Sequence, residues 1–169
     1  MRLVVPVAAL IGAVPASAAG LTVSVDIPTL DVAEYHKPYV AIWIERPDQS
    51  VAANLAVWYD VKLKEKEGEK WLKDLRQWWR RIGRELTLPV DGVSGATRAP
   101  GTETLTFTAG EGPLPALEPG DYSLVVEAAR EVGGREVVKV PFTWPAAAAT
   151  SANATGSSEL GAVKLDLQP

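Results

Sequence analysis

The chain has 169 residues, 47% of them hydrophobic, and a formal net charge of −4. That is enough apolar material for the core of one ordinary domain, and the negative balance argues against nucleic acid as the main partner. With no Cys, one His and one Met, the composition excludes iron–sulfur clusters, haem attachment through Cys and thiol nucleophiles. It also excludes a multi-His zinc or copper site and leaves a Ser-His-Asp triad dependent on His36 alone.

Residues 1–19 read as a secretory signal peptide. Arg2 supplies the positive start, residues 3–14 an apolar run, and Ala16-Ser17-Ala18 an A-x-A cleavage site. The run is too short to span a bilayer, which needs about 20 apolar residues. No second such segment follows, so a periplasmic protein that is not membrane-embedded is expected. No Cys follows the leader to carry a lipid anchor. Removing Arg2 takes the net charge from −4 to −5. Asn153-Ala154-Thr155 matches a glycosylation sequon, to which an exported bacterial chain gives little weight.

The remaining residues, 20–169, read as a single domain. Residues 21–27 alternate apolar and polar with period two, as a half-buried strand does. Residues 39–44 form an almost continuous β-branched and aromatic run, expected as a central strand. Residues 55–61 form a third strand, with Leu55, Val57 and Tyr59 on one side and Trp58 on the other. Residues 62–70 are charged and expected to be exposed. The period then becomes helical over about residues 69–84. Trp71, Leu72, Leu75, Trp78, Trp79 and Ile82 make one apolar stripe, and the basic residues late in the segment suit the C-terminal dipole. Such a helix covers a sheet or an edge.

Further strands are expected over residues 102–108, 123–129, 136–144 and 161–167, with a hairpin turn at Gly133-Gly134. Residues 146–158, rich in Ala, Ser and Thr, are expected to form a mobile loop. Tyr122 after Pro119-Gly120-Asp121 resembles a tyrosine corner, and Pro141 inside a strand predicts an edge or a bulge. Parallel βαβ alternation is absent. The sum predicts a mainly β fold: an immunoglobulin-like antiparallel β-sandwich with one inserted amphipathic helix.

The stretch that carries chemistry is Asp91-Gly92-Val93-Ser94-Gly95-Ala96-Thr97, in a loop over residues 91–101. Asp-Gly between Val90 and Val93 is a turn signal, and Ser94-Gly95 and Pro100-Gly101 mark further turns. In the bland reading, Ser94 and Thr97 only satisfy turn backbone. As a whole, the string resembles the Asp-Gly-x-Ser-Gly-Ala-Thr signature of bacterial proteins that carry FMN covalently on the last Thr. In those proteins a Mg-dependent flavin transferase moves FMN from FAD onto the Thr hydroxyl. The resemblance implies that Thr97 is the attachment point. The best-known carriers are subunits of respiratory sodium pumps, whose FMN-binding domain is not recognisable in the rest of this chain.

A wider resemblance covers most of the mature chain. It rests on Pro38-Tyr39-Val40-Ala41-Ile42-Trp43-Ile44-Glu45, on Trp71-Leu72-Lys73-Asp74-Leu75 with Trp78-Trp79, and on Val93 to Gly101. Gly120-Asp121-Tyr122, Glu127-Ala128-Ala129-Arg130-Glu131 and Glu159-Leu160-Gly161 complete it. On these stretches the chain resembles a family of uncharacterised bacterial periplasmic proteins found alongside PepSY-domain membrane proteins and flavin transferases. That resemblance implies a location and redox surroundings, and a PepSY-type membrane redox protein as partner, but no reaction.

Attachment needs only a reachable hydroxyl from this chain, because the base and Mg²⁺ would come from the transferase. Gly92 and Gly95 let backbone enter another active site without Cβ clashes, and Ala96 keeps the neighbouring side chain small. Asp91 would orient the segment or contact the metal, and Arg98 would pair with the attached phosphate. His36 reads as a surface or satisfied loop residue. Two functions compete. One is an electron-transfer flavoprotein, which the residue inventory favours over an autonomous enzyme. The other is a non-redox periplasmic β-sandwich binding module that docks a membrane protein or helps handle iron or haem.

Overall fold

The computed structural model describes residues 18–169; residues 1–17 of the expected signal peptide lie outside them. Two sheets face each other. One has the order β5-β1-β9-β8 and the other β4-β3-β2-β6-β7. In chain order the strands are β1 Gly20–Ile27, β2 Tyr39–Glu45, β3 Val51–Tyr59, β4 Ser94–Ala96 and β5 Gly101–Thr108, then β6 Gly120–Ala129, β7 Arg135–Trp144, β8 Thr150–Thr155 and β9 Ala162–Gln168. All pairings are antiparallel except β3–β4, which is parallel. The mainly β sandwich expected from the strand pattern is the fold.

Period-two alternation builds two apolar clusters from one sheet. From β2, Val40, Ile42 and Ile44 point between the sheets, into one cluster with Val23, Val25, Val163 and Leu165 of the other sheet. The alternate residues Tyr39, Ala41 and Trp43 point to the opposite face, where Leu72, Leu75, Trp78 and Ile82 cover them. Both faces of β2 are therefore buried, which explains its continuous apolar run. The outer face of the other sheet is polar: Thr22 and Ser24 pair with Thr106 and Thr104 at 3.1 Å across β1 and β5.

Three expectations change. The segment over residues 69–84 is not one continuous helix. It divides into α1 Glu67–Lys70, a 3₁₀ turn Leu72–Asp74, α2 Arg76–Arg81 and a 3₁₀ turn Gly83–Glu85. The break falls at Leu75, whose ψ of 72° is not helical. Just beyond it, the backbone N–H groups of Gln77 and Trp78 donate to Glu127, at 3.1 and 2.8 Å, so α2 starts where a fixed carboxylate receives it. Most of the apolar stripe is still buried, through Leu72, Leu75, Trp78 and Ile82, but Trp71 is half exposed.

The second change is in β3. A register shift lies between Ile42↔Ala56 and Trp43↔Asn54, and this bulge puts Leu55 on the inter-sheet side with Trp58, not with Val57 and Tyr59. The third is β8, an edge strand inside the stretch expected as a mobile loop. Ladder hydrogen bonds to β9 hold it without much apolar content, and it carries the Asn153 sequon. Pro141 lies in β7, an edge strand as expected. The tyrosine corner also forms, with the Tyr122 hydroxyl donating to the Glu118 carbonyl at 2.7 Å.

Carboxylates bind the parts together. Glu127 on β6 is fully buried and also accepts from Arg135 Nε at 2.5 Å. Glu45 on β2 pairs with Arg81 of α2 and Lys139 of β7. Arg130 and Glu159 form a two-pronged pair, at 2.9 and 3.1 Å, between the β6–β7 turn and the turn before β9. Glu136 accepts from the backbone N–H groups of Ser157, Ser158, Glu159 and Leu160.

Glu127→Ala removes the acceptor for two α2 N–H groups and for Arg135. It is expected to lower the unfolding free energy by about 3 kcal/mol in urea titration. Glu136 gives a pH signature. Burial pushes its pKa up, but the Ser157, Leu160 and Ser158 N–H donors and the Ser157 hydroxyl outweigh that and bring it down to about 2 from 4.5. The folded value lies below the unfolded one. Its stabilisation is therefore complete above about pH 4.5 and is lost as pH falls through about 2. Urea stability measured across that window should fall less steeply in Glu136→Gln than in the wild type.

Candidate functional site

The motif is a turn followed by an edge strand. Gly92 has φ +71°, which Gly adopts at no steric cost. The Val90 carbonyl accepts from Val93 and Ser94 N–H at 3.2 and 2.8 Å, while the Ser94 hydroxyl accepts from Val90 N–H at 2.9 Å. Residues 94–96 then join β3 in parallel, with Val57↔Ser94, Trp58↔Gly95 and Tyr59↔Ala96. One residue further, the same register brings Thr97 level with Asp60. The Thr97 hydroxyl donates to Asp60 Oδ1 at 3.3 Å, and the Tyr39 hydroxyl donates to Asp60 Oδ2 at 3.4 Å. Burial first, and the Asp60 charge after it, push Tyr39 up to about 12, so the phenol stays a neutral donor.

Thr97 and Asp60 line a cleft of about 970 Å³, within the size range of small-molecule sites. One wall is the helical segment, through Trp71, Asp74 and Arg76. The rest of the lining comes from the β6–β7 turn, Ala129 to Arg135, and from Tyr35, His36 and Lys37. Trp71, 50% exposed, is the one Trp of six along this cleft. Lys37, Arg76 and Arg135 line it together with Asp60, Asp74 and Glu131, and Arg135 is paired with Glu127. Two buried polar atoms on the cleft residues have no partner: the Tyr35 hydroxyl and Arg130 Nη1. Burial raises the Tyr35 pKa, the nearby Arg130 charge lowers it in part, and Glu159 adds to the rise. His36 contacts Glu34 at 2.8 Å and Glu131 at 3.5 Å. Among the described residues, no group of three or more His, Asp or Glu is placed to hold a metal ion.

The motif residues separate. Asp91 and Gly92 are exposed in the turn, and Ser94, Gly95 and Ala96 form β4. Thr97 alone of them lines the cleft. The Arg98 guanidinium lies over the Trp58 ring, 5.2 Å from its centroid, with Nε 3.6 Å from Glu103, an ionic contact too long for a hydrogen bond. Asp60, Tyr35 and Arg130 carry no local sequence signal for the site, because each reaches it through pairing or turns distant in sequence.

Covalent FMN fits these residues. Thr97 presents a hydroxyl at the cleft wall, Trp71 a half-exposed ring with Lys73 Nζ 5.8 Å from its centroid, Tyr35 and Arg130 unused polar atoms, and Arg76 and Lys37 positive charge for a phosphodiester. Gly95 has a packing reason of its own. A Cβ there would lie 3.2 Å from Cδ1 of the buried Trp58. Gly95→Ala needs the Trp58 ring to give by a few tenths of an ångström and is expected to change stability by no more than about 1 kcal/mol in thermal or urea unfolding.

No curated protein and no solved structure matches the chain. No helix among the described residues is long and apolar enough to cross a membrane. A family model does match, over residues 20–162, almost the whole sandwich. The chain belongs to the family described as predicted periplasmic protein (DUF2271), and the periplasm is where it works.

Proposed function

We propose that this protein is a periplasmic electron carrier bearing FMN covalently on Thr97. The observation that carries the reading is the coincidence of two independent features. Thr97, the last residue of the Asp-Gly-x-Ser-Gly-Ala-Thr string, is also the motif residue that lines the large cleft. Structural needs account for much of the string: Gly92 for its positive φ, Ser94 for closing the turn, Gly95 for clearing Trp58. Thr97 is left with a hydroxyl held only by a 3.3 Å hydrogen bond to Asp60.

In the attachment step, Thr97 Oγ1 forms a bond to the FMN phosphorus of FAD. The phosphoanhydride bond breaks, AMP leaves with the electron pair, and the Thr97 proton passes to a base. A flavin transferase with Mg²⁺ supplies the base and the charge neutralisation. Asp60 orients the hydroxyl beforehand, and Arg76 and Lys37 balance the diester charge afterwards. The bound flavin supplies reversible electron transfer, with a PepSY-type membrane redox protein as donor and an extracytosolic acceptor.

The test is the intact mass of the exported protein made with and without an active flavin transferase. The expected result is a transferase-dependent gain of one FMN, mapped to Thr97, with yellow protein, and loss of both in Thr97→Ala. An unmodified mass, with the transferase shown to work on another substrate, would overturn the carrier reading in favour of a non-redox binding module.

A further inference from the structure

The cleft contains a second, unused polar constellation away from the motif. The Arg130 side chain is 6% exposed, and its Nε and Nη2 are both taken by Glu159, at 2.9 and 3.1 Å. Glu159 is itself fixed by Gly134 N–H at 2.9 Å. The guanidinium also packs under the β6–β7 turn, where a Cβ on Gly133 would fall 2.4 Å from Arg130 Cζ. It is therefore a rigid group with one nitrogen, Nη1, left over, buried and without a partner. The Tyr35 hydroxyl, along the same cleft, is likewise buried and unpartnered. Leaving buried donors unmade costs about 1–3 kcal/mol each, so two in one cleft mark a place built for a polar ligand edge.

We infer that Tyr35 and Arg130 form a recognition site for the imide edge of an isoalloxazine ring. The inference rests on the flavin reading above and adds the residues that select the ring. The edge presents two carbonyl acceptors flanking one N–H donor. Arg130 Nη1 can only donate, so it meets a carbonyl. Tyr35 can give or take a hydrogen bond, so it meets the neighbouring position. The Arg130 charge is already balanced by Glu159, so the site suits a neutral polar edge more than a free anion. Trp71, half exposed along the same cleft with Lys73 Nζ 5.8 Å from its ring centroid, leaves aromatic surface for contact with the flat ring. Orientation would then come from the polar edge and contact area from the aromatic face.

Riboflavin, which has the ring but no phosphate, tests this site separately from attachment at Thr97. The unflavinylated protein should quench riboflavin fluorescence at saturation. Tyr35→Phe should weaken that binding about tenfold. Its melting midpoint should not fall, since the hydroxyl it removes is buried and has no protein partner. Phenazine, a tricyclic without an imide edge, should bind both proteins equally. Equal riboflavin affinity in wild type and Tyr35→Phe, no riboflavin binding by wild type, or an equal loss of phenazine binding would each overturn the inference. Absence of FMN on Thr97 with riboflavin bound as expected would instead sink the attachment reading alone.

Discussion

The structure depends on a buried carboxylate, Glu127. It sits near the C-terminal end of β6 on the face that the helical segment covers, and it receives two N–H groups from the start of α2 and the guanidinium of Arg135. A short six-residue helix such as α2 has little intrinsic stability. Its position is set by this anchor at one end and by Arg81 on Glu45 at the other. Because the cap is held there, Trp71, Asp74 and Arg76 line one cleft together with the β6–β7 turn. The cleft is thus a consequence of how the cap is tied to the sheet.

The same device recurs. Glu45, Glu127 and Glu159 are the buried acidic residues among those described, and each is matched by one or two cations from another element. Such pairs add little net stability over apolar packing, yet removing one partner is costly. They hold one register and one placement of the cap where apolar contacts alone would allow neighbouring ones. Arg130 with Glu159 also joins the two sheets beside the cleft, which leaves one donor in a fixed place for a ligand.

The motif is a case where structural and functional demands overlap. Its turn, its strand and its close approach to Trp58 are each explained by local geometry. Thr97 is distinguished by its position at the end of that strand, where the parallel register places it beside Asp60 at the cleft wall. A fold that holds Gly95 close against Trp58 thereby places the Thr97 hydroxyl beside Asp60 at the cleft wall.

Composition, periodicity and turn signals by themselves determined the class of fold, the periplasmic address, the central place of β2, the irregular or edge character of the strand with Pro141, and the tyrosine corner. These come from nearest-neighbour rules: side chains alternate along a strand, and turns need particular backbones. Thr97 was singled out differently, by the resemblance of a contiguous string to a known signature. Only the tertiary structure decided the rest. It broke the helical segment at Leu75, because the acceptor for the Trp78 N–H lies on β6, 49 residues away. It moved Leu55 to the inter-sheet face through a bulge, which reverses side-chain parity without any mark in composition. It turned an Ala/Ser/Thr stretch into β8, because backbone pairing, not side-chain burial, holds that edge. And it assembled Asp60, Tyr35, Trp71 and Arg130 around Thr97, since a cleft is made by residues distant along the chain and no local pattern records which of them will meet.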